Sequence, residues 1–172
     1  AKELGISVHE LAQELAGKVA PDGQDIVFLP YIYGSNYNPQ AKACFVGLEA
    51  ANTRAQVIRA VLEGIVFCHR VHVEKLLKNR KPPAAVRLAG GAAKSRIWAQ
   101  IFADVLQLPV EIVEANELGA LGCAMAAAVA SGIYADLKDA AKHMVNIKHR
   151  LEPDAATAPV YARKYLRYRA VS

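Results

Sequence analysis

Cysteine, methionine and tryptophan are scarce in this sequence, at three, two and one among 172 residues, and no long apolar run occurs. Cys44, Cys68 and Cys123 are odd in number, far apart and set among apolar neighbours. Such spacing supports neither a disulfide scaffold nor a zinc site, and reduced, packed thiols in a cytoplasmic setting are expected. The longest apolar stretch, Ala120 to Ala130, is alanine-rich and falls short of the roughly 20 residues a membrane helix requires. The opening AKELGISVHE lacks the layout of a signal peptide, so neither an anchor nor an address is expected.

Two phosphate-binding patterns are also missing. A Walker A loop needs glycine, four residues, then Gly-Lys-Ser/Thr, whereas Lys94-Ser95 follows Ala93 and Gly90 stands too close. A dinucleotide fingerprint needs three spaced glycines, and only Gly90 and Gly91 precede Lys94 and Arg96. What is present is LAGGAAKSRIW, Leu88 to Trp98, a short apolar run that turns through two glycines into a helical pattern. A strand entering a helix through glycine gathers bare amides and a positive helix end at one point, which suits a phosphate; a plain tight turn uses the same residues.

With 53% hydrophobic residues the chain can bury one good core, so a single domain over 1–172 is expected. The net charge is +5, and basic residues thicken toward the end at Lys148, Arg150, Arg163, Lys164, Arg167 and Arg169. Tyr161, Tyr165 and Tyr168 lie among them, which could serve nucleic acid by stacking and phosphate contact. Spacings of four and three favour a solvated helix with its tyrosines turned inward, and no nucleic-acid motif accompanies the charge.

Ser7 is expected to cap a helix over Val8 to Leu15, stopped by Pro21-Asp22-Gly23. Ile26 to Leu29 reads as a buried strand, and Tyr31 to Ala43 as an aromatic, polar loop. From Thr53 to about Lys78 a long helix is expected, its inner face traced by Val57, Val61, Leu62, Ile65, Cys68, His69, His72, Val73 and Leu76. Gly64 in its middle costs roughly 1 kcal/mol relative to alanine, which implies a close neighbour. His69 and His72, with Glu74 after them, lack a third ligand and are read as helix-face residues rather than a metal site. Strand Ala85 to Ala89, helix Ser95 to Leu106, strand Val110 to Val113 and helix Leu118 to Ala130 then alternate. Alternation points to an α/β fold with a mainly parallel sheet covered on both faces. The last of these helices, rich in small residues, is expected to pack densely against a neighbour and to end at Ser131-Gly132.

The stretch ACFVGLEAANTRAQVIRAVLE resembles the second signature of the FGGY carbohydrate kinases, with Ala43, Phe45, Gly47-Leu48, Gln56-Val57, Ala60-Val61-Leu62 and Glu63 in the required places. FLPYIYGSNYNP resembles the Pro-Tyr-x-x-Gly segment of that family, LAGGAAKSRIWAQIFADVLQLPV its adenosine motif, and ELGALGCAMAAAVASG the helix that follows. Four segments in the right order are specific where one would be weak. The resemblance implies a ribonuclease-H-like, three-layer α/β/α domain of the actin-like ATPase type, forming the C-terminal part of a longer two-domain sugar kinase. It implies ATP and Mg2+ as cofactors, with magnesium held mainly by the rest of the cleft. The implied nucleotide contacts are the backbone at Gly91 and the polar side chain at Ser95, with Gly90, Ala92 and Ala93 lining the turn.

The family's catalytic aspartate, first phosphate loop and most sugar contacts precede the matched region, so no catalytic or metal residue is assigned here. Asp104, inside the pattern IFADVL, and Glu117, at a helix start, are read as structural. Expected partners are ATP or ADP and, through the remainder of the kinase, a sugar; a homodimer is allowed, and neither nucleic acid nor a membrane is expected. Many xylulokinase-like members carry an acidic-basic pair and a proline after the glycine, where this chain has Gly34-Ser35-Asn36-Tyr37-Asn38-Pro39. The Tyr-Gly-Ser-Asn form is similar to kinases of L-xylulose and 3-keto-L-gulonate, which implies a pentulose or related ketose such as xylulose. A non-catalytic actin-like nucleotide-binding or assembly domain and a basic nucleic-acid module stand as alternatives.

Overall fold

Side-chain caps fix where the first two helices begin. Ser7 Oγ accepts from Glu10 N at 3.1 Å while Glu10 Oε2 accepts from Ser7 N at 2.7 Å, opening α1, Val8–Gly17. Thr53 and Gln56 repeat that reciprocal arrangement at the start of α2, Arg54–Leu77. The computed structural model describes residues 5, 7–36, 38–114 and 117–172. Tyr37 of the Gly34 to Pro39 segment and most of the AKELGI opening lie outside the described residues.

Between the two helices, β1 (Val27–Leu29) pairs antiparallel with β2 (Cys44–Val46). Beyond α2, β3 (Val86–Leu88) runs parallel to β4 (Val110–Val113), and α3 (Arg96–Leu106) makes the crossover. Then come α4 (Leu118–Ala130), α5 (Leu137–Met144), β5 (Ile147–Leu151) and α6 (Ala158–Val171). β5 closes the second sheet antiparallel to β4, in the order β3-β4-β5. The α/β class follows, but the expectation of a mainly parallel sheet is corrected: among the described residues only β3 and β4 pair in parallel. β5 escapes the apolar pattern because its residues are almost all exposed, whereas β2 is apolar but only three residues long and exposed throughout. Backbone pairing holds β5 on β4, and cross-strand charge adds to it, since Glu111 lies opposite Arg87 on one side and Arg150 on the other, with contacts of 3.3 and 2.8 Å.

The core joins β1, α2, α3, β4 and α6 through Leu29, Val66, Phe67, Phe102, Val105, Val110 and the three α6 tyrosines. Tyr161, Tyr165 and Tyr168 do turn inward and pack around Phe67. Gly64 lies against the backbone of Phe28, where a Cβ would run into the carbonyl oxygen and stand 3.0 Å from Phe28 Cβ. The missing side chain lets β1 rest directly on α2.

The inner face of α2 differs from the one its apolar spacing predicts. Leu76 and His69 are exposed, whereas Arg59, Glu63, Val66 and Phe67 are buried. Charged residues sit inside because they neutralise one another there. Glu63, 1% exposed, accepts from Arg59 Nε at 2.8 Å and Gln24 Nε2 at 2.7 Å and forms an ion pair with Lys164. Arg59 further donates to Ala16 O, Val19 O and the Tyr161 hydroxyl, and Lys164 donates to Pro21 O. Lys164 is therefore not one of the solvated basic residues of the C-terminal run. Burial pushes its ammonium below the ordinary lysine range, with Glu63 pulling the other way.

Two packing expectations are also corrected. α4 has no buried residue and packs chiefly on α5, because side chains so small bury area only where a partner comes very close. Cys123 on α4 and Cys44 on β2 are accordingly exposed, and only Cys68 is half-buried. Among the described residues no helix is long and apolar enough to cross a membrane.

Candidate nucleotide site

β3 ends at Leu88, and Gly90 takes φ +76°, a left-handed conformation that side chains other than glycine rarely adopt. Gly91 returns to helical angles and leads a single 3-10 turn over Ala92–Lys94, closed by Lys94 N to Gly91 O and Ser95 N to Ala92 O, each 3.2 Å. Ser95 then caps α3: its Oγ accepts from Trp98 N at 3.2 Å, and the residue is buried. The Trp98 indole donates to Leu62 O at 3.2 Å, fastening this corner to α2.

A groove of about 1450 Å³ opens beside the turn. Leu88, Gly90, Gly91, Lys94 and Arg96 line one side, Ile112, Glu114 and Glu117 another, and Lys148, Arg150 and Glu152 of the β5 region a third. It lies outside the carboxyl ends of the parallel pair β3 and β4, where open α/β sheets bind ligands. A Cβ built on Gly91 would meet nothing within 4 Å, so the turn faces open space. Gly90 and Gly91 thus lie at the groove, whereas Ala92 and Ser95 stand behind its lining, with the Ser95 hydroxyl used as a cap.

The two acids read as structural occupy different roles. Asp104 is buried and its Oδ1 accepts from Gln100 Nε2 at 2.8 Å and Asp154 N at 2.9 Å, tying α3 to the start of the last helical segment. Burial raises its carboxyl above the ordinary aspartate value, against the pull of those hydrogen bonds. Glu117 holds the position before α4 without a side-chain cap bond and lines the groove. His69 packs on Phe102 with ring centroids 5.5 Å apart, and among the described residues no three His, Cys, Asp or Glu side chains could share a metal ion. Lys148 and Arg150, taken in sequence as part of a C-terminal basic run, are the groove residues that sequence reasoning missed. Their signal was the alternation in IKHRL, obscured by charge on both faces. The stacking surface that a nucleic-acid module would need is absent among the described tyrosines of α6, all three being buried.

Comparison with known proteins settles the family. The description "FGGY family of carbohydrate kinases, C-terminal domain" matches residues 3–131. The chain belongs to the FGGY family of carbohydrate kinases. Among its FGGY relatives, an L-xylulose/3-keto-L-gulonate kinase of Escherichia coli K12 is 35% identical, covering 95% of this chain and 32% of that protein. The crystal structure of a xylulose kinase from Rhodospirillum rubrum matches with a TM-score of 0.80 and 34% identity, covering 95% of this chain and 33% of the other. A ligand-bound xylulose kinase from Lactobacillus acidophilus gives 0.86 at 25% identity, covering 94% and 34%. These likenesses give the FGGY chain the actin-like ATPase fold. The chain spans about a third of the length of the relatives it matches.

Proposed function

We propose that this chain is the nucleotide-binding C-terminal part of an ATP-dependent kinase that moves the γ-phosphoryl group of ATP to a hydroxyl of a ketose, a pentulose such as xylulose. The observation that carries the reading is the open space above Gly91, at a glycine turn on the carboxyl side of a parallel strand pair. In this proposal the amides at the start of the 3-10 turn, which have no acceptor within it, point to the phosphates. Gly90, Gly91 and Ala92 keep the corner free of bulk. Ser95 holds the turn on α3 through its cap, while Lys94, Arg96 and Lys148 bring cations to a mouth they share with Glu114, Glu117 and Glu152. Bound magnesium would neutralise the phosphates, held by them and by residues outside this chain.

Phosphoryl transfer depends on positioning and electrostatic stabilisation by a complete cleft. Residues 1–172 alone are therefore expected to phosphorylate no sugar and to bind ATP or ADP weakly. Titration with millimolar ADP, followed by amide NMR, should move Gly90 to Ser95, and Gly91→Val should weaken binding roughly tenfold by filling the space. Robust sugar phosphorylation by the 172-residue chain, or ADP binding indifferent to Gly91→Val, would overturn the reading. The likeness of the ketose assignment rests on the Tyr33-Gly34-Ser35-Asn36 segment and on relatives that include an L-xylulose/3-keto-L-gulonate kinase.

A further inference from the structure

The glycine corner borders open space, since a Cβ on Gly90 or on Gly91 would meet nothing within 4 Å. Its exit into α3 is what fixes it, and one residue is used there twice. The backbone N–H of Trp98 donates to Ser95 Oγ and its indole Nε1–H donates to Leu62 O, each at 3.2 Å. Trp98 also packs against the buried core together with Ala92 and Ala93 of the turn.

Leu62 is a firm point of attachment. The next residue, Glu63, is 1% exposed and held by Arg59, Gln24 and Lys164, and the one after it, Gly64, rests on the backbone of Phe28. This turn of α2 cannot shift without breaking buried charge contacts or lifting β1 away. Inside a helix the Leu62 carbonyl also serves the amide four residues on, so α2 does not depend on the indole. What the indole bond fixes is its other end, the start of α3.

We propose that Trp98 is a positioning residue for the nucleotide: by tying Ser95 and the first turn of α3 to Leu62, it holds the Gly90–Gly91 corner in place at the groove. The inference rests on the nucleotide reading above. Without the tether a bound nucleotide must first order the corner, and affinity falls by that amount.

Benzothienylalanine at position 98, with sulfur in place of the ring N–H, keeps the shape and deletes the donor; Trp98→Phe is the simpler variant. In the ligand-free 172-residue chain, hydrogen exchange at Lys94 and Ser95, the two bonded amides of the turn, should quicken about fivefold in both. ADP, titrated and followed by amide NMR, should bind about three- to tenfold more weakly, as the loss of one hydrogen bond implies. Tyr165→Leu, which loses a ring contact with Phe67 and the bond to Glu74, should lower stability in urea and leave both readouts at wild-type values. Unchanged ADP affinity on loss of the indole donor, with Gly91→Val still weakening binding, would reduce Trp98 to a packing residue and overturn this inference alone. Equal weakening by Tyr165→Leu would overturn it too, since general destabilisation would then suffice. ADP shifts in the wild type that bypass Gly90 to Ser95 would overturn the nucleotide reading and this inference together.

Discussion

Replacing glycine by alanine inside a helix ordinarily stabilises a protein by about 1 kcal/mol, because alanine has less backbone freedom to lose. At Gly64 the sign should reverse. The new Cβ would meet the carbonyl oxygen and Cβ of Phe28, and a backbone carbonyl in a paired strand cannot swing aside as a side-chain tip can. Relief requires α2 and β1 to separate, which loosens Val27, Leu29, Leu62 and Val66 together. Overpacking costs about 1–3 kcal/mol, and a backbone obstacle places this site at the upper end or beyond. After the helix-propensity gain the net loss is about 2 kcal/mol, or roughly 4–8 °C in Tm for a chain of this size. Urea denaturation and calorimetry would measure it, with Gly122→Ala as an internal control. Gly122 is also helical, but its Cβ would meet nothing within 4 Å, so that variant should be neutral or gain up to about 1 kcal/mol. A Gly64→Ala chain as stable as wild type would refute the idea that glycine is there for contact.

Two further outcomes follow from the buried charges. Glu63→Gln leaves Arg59 and Lys164 enclosed without a counter-charge and should cost about 3–5 kcal/mol in urea unfolding; a loss below 1 kcal/mol would contradict the network. Asp104 has its native carboxyl raised, so between its ordinary value of 3.8 and that higher value the folded chain binds more protons than the unfolded one. Its contribution is complete below that window and is lost as pH rises through it. Asp104→Asn, neutral at every pH and still able to accept from Gln100 and Asp154, should therefore gain on wild type at pH 7 and converge with it toward pH 4. A stability difference independent of pH would exclude burial as the cause.

Helices α1 to α3 were legible in sequence because each has a cap and an apolar rhythm, and Ser7, Thr53 and Ser95 do stand at their starts, whereas α4 was legible only as an apolar run stopped by Ser131-Gly132. The glycine corner was legible too, since left-handed backbone leaves a mark in residue choice that packing does not erase. Other features left none. Reading charge as a mark of solvent hid the Arg59–Glu63–Lys164 network and shifted the inner face of α2 along the helix. β5 was hidden for the opposite reason: its alternation carries charge rather than apolar residues, and it is held by backbone pairing with β4, beside which Arg150 meets Glu111. No local pattern in the sequence could have reported that α4 lacks a buried side, because small residues suit a close contact whether or not the contact partner is present.

Trp98 is the sole tryptophan of the chain, three residues past Ser95, with its indole hydrogen-bonded to α2 and half shielded from water. The glycine corner thus comes with its own optical reporter. Any molecule that stiffens or shifts the start of α3 changes the surroundings of one fluorophore, whose emission can be followed without a label and without competing signal from a second indole.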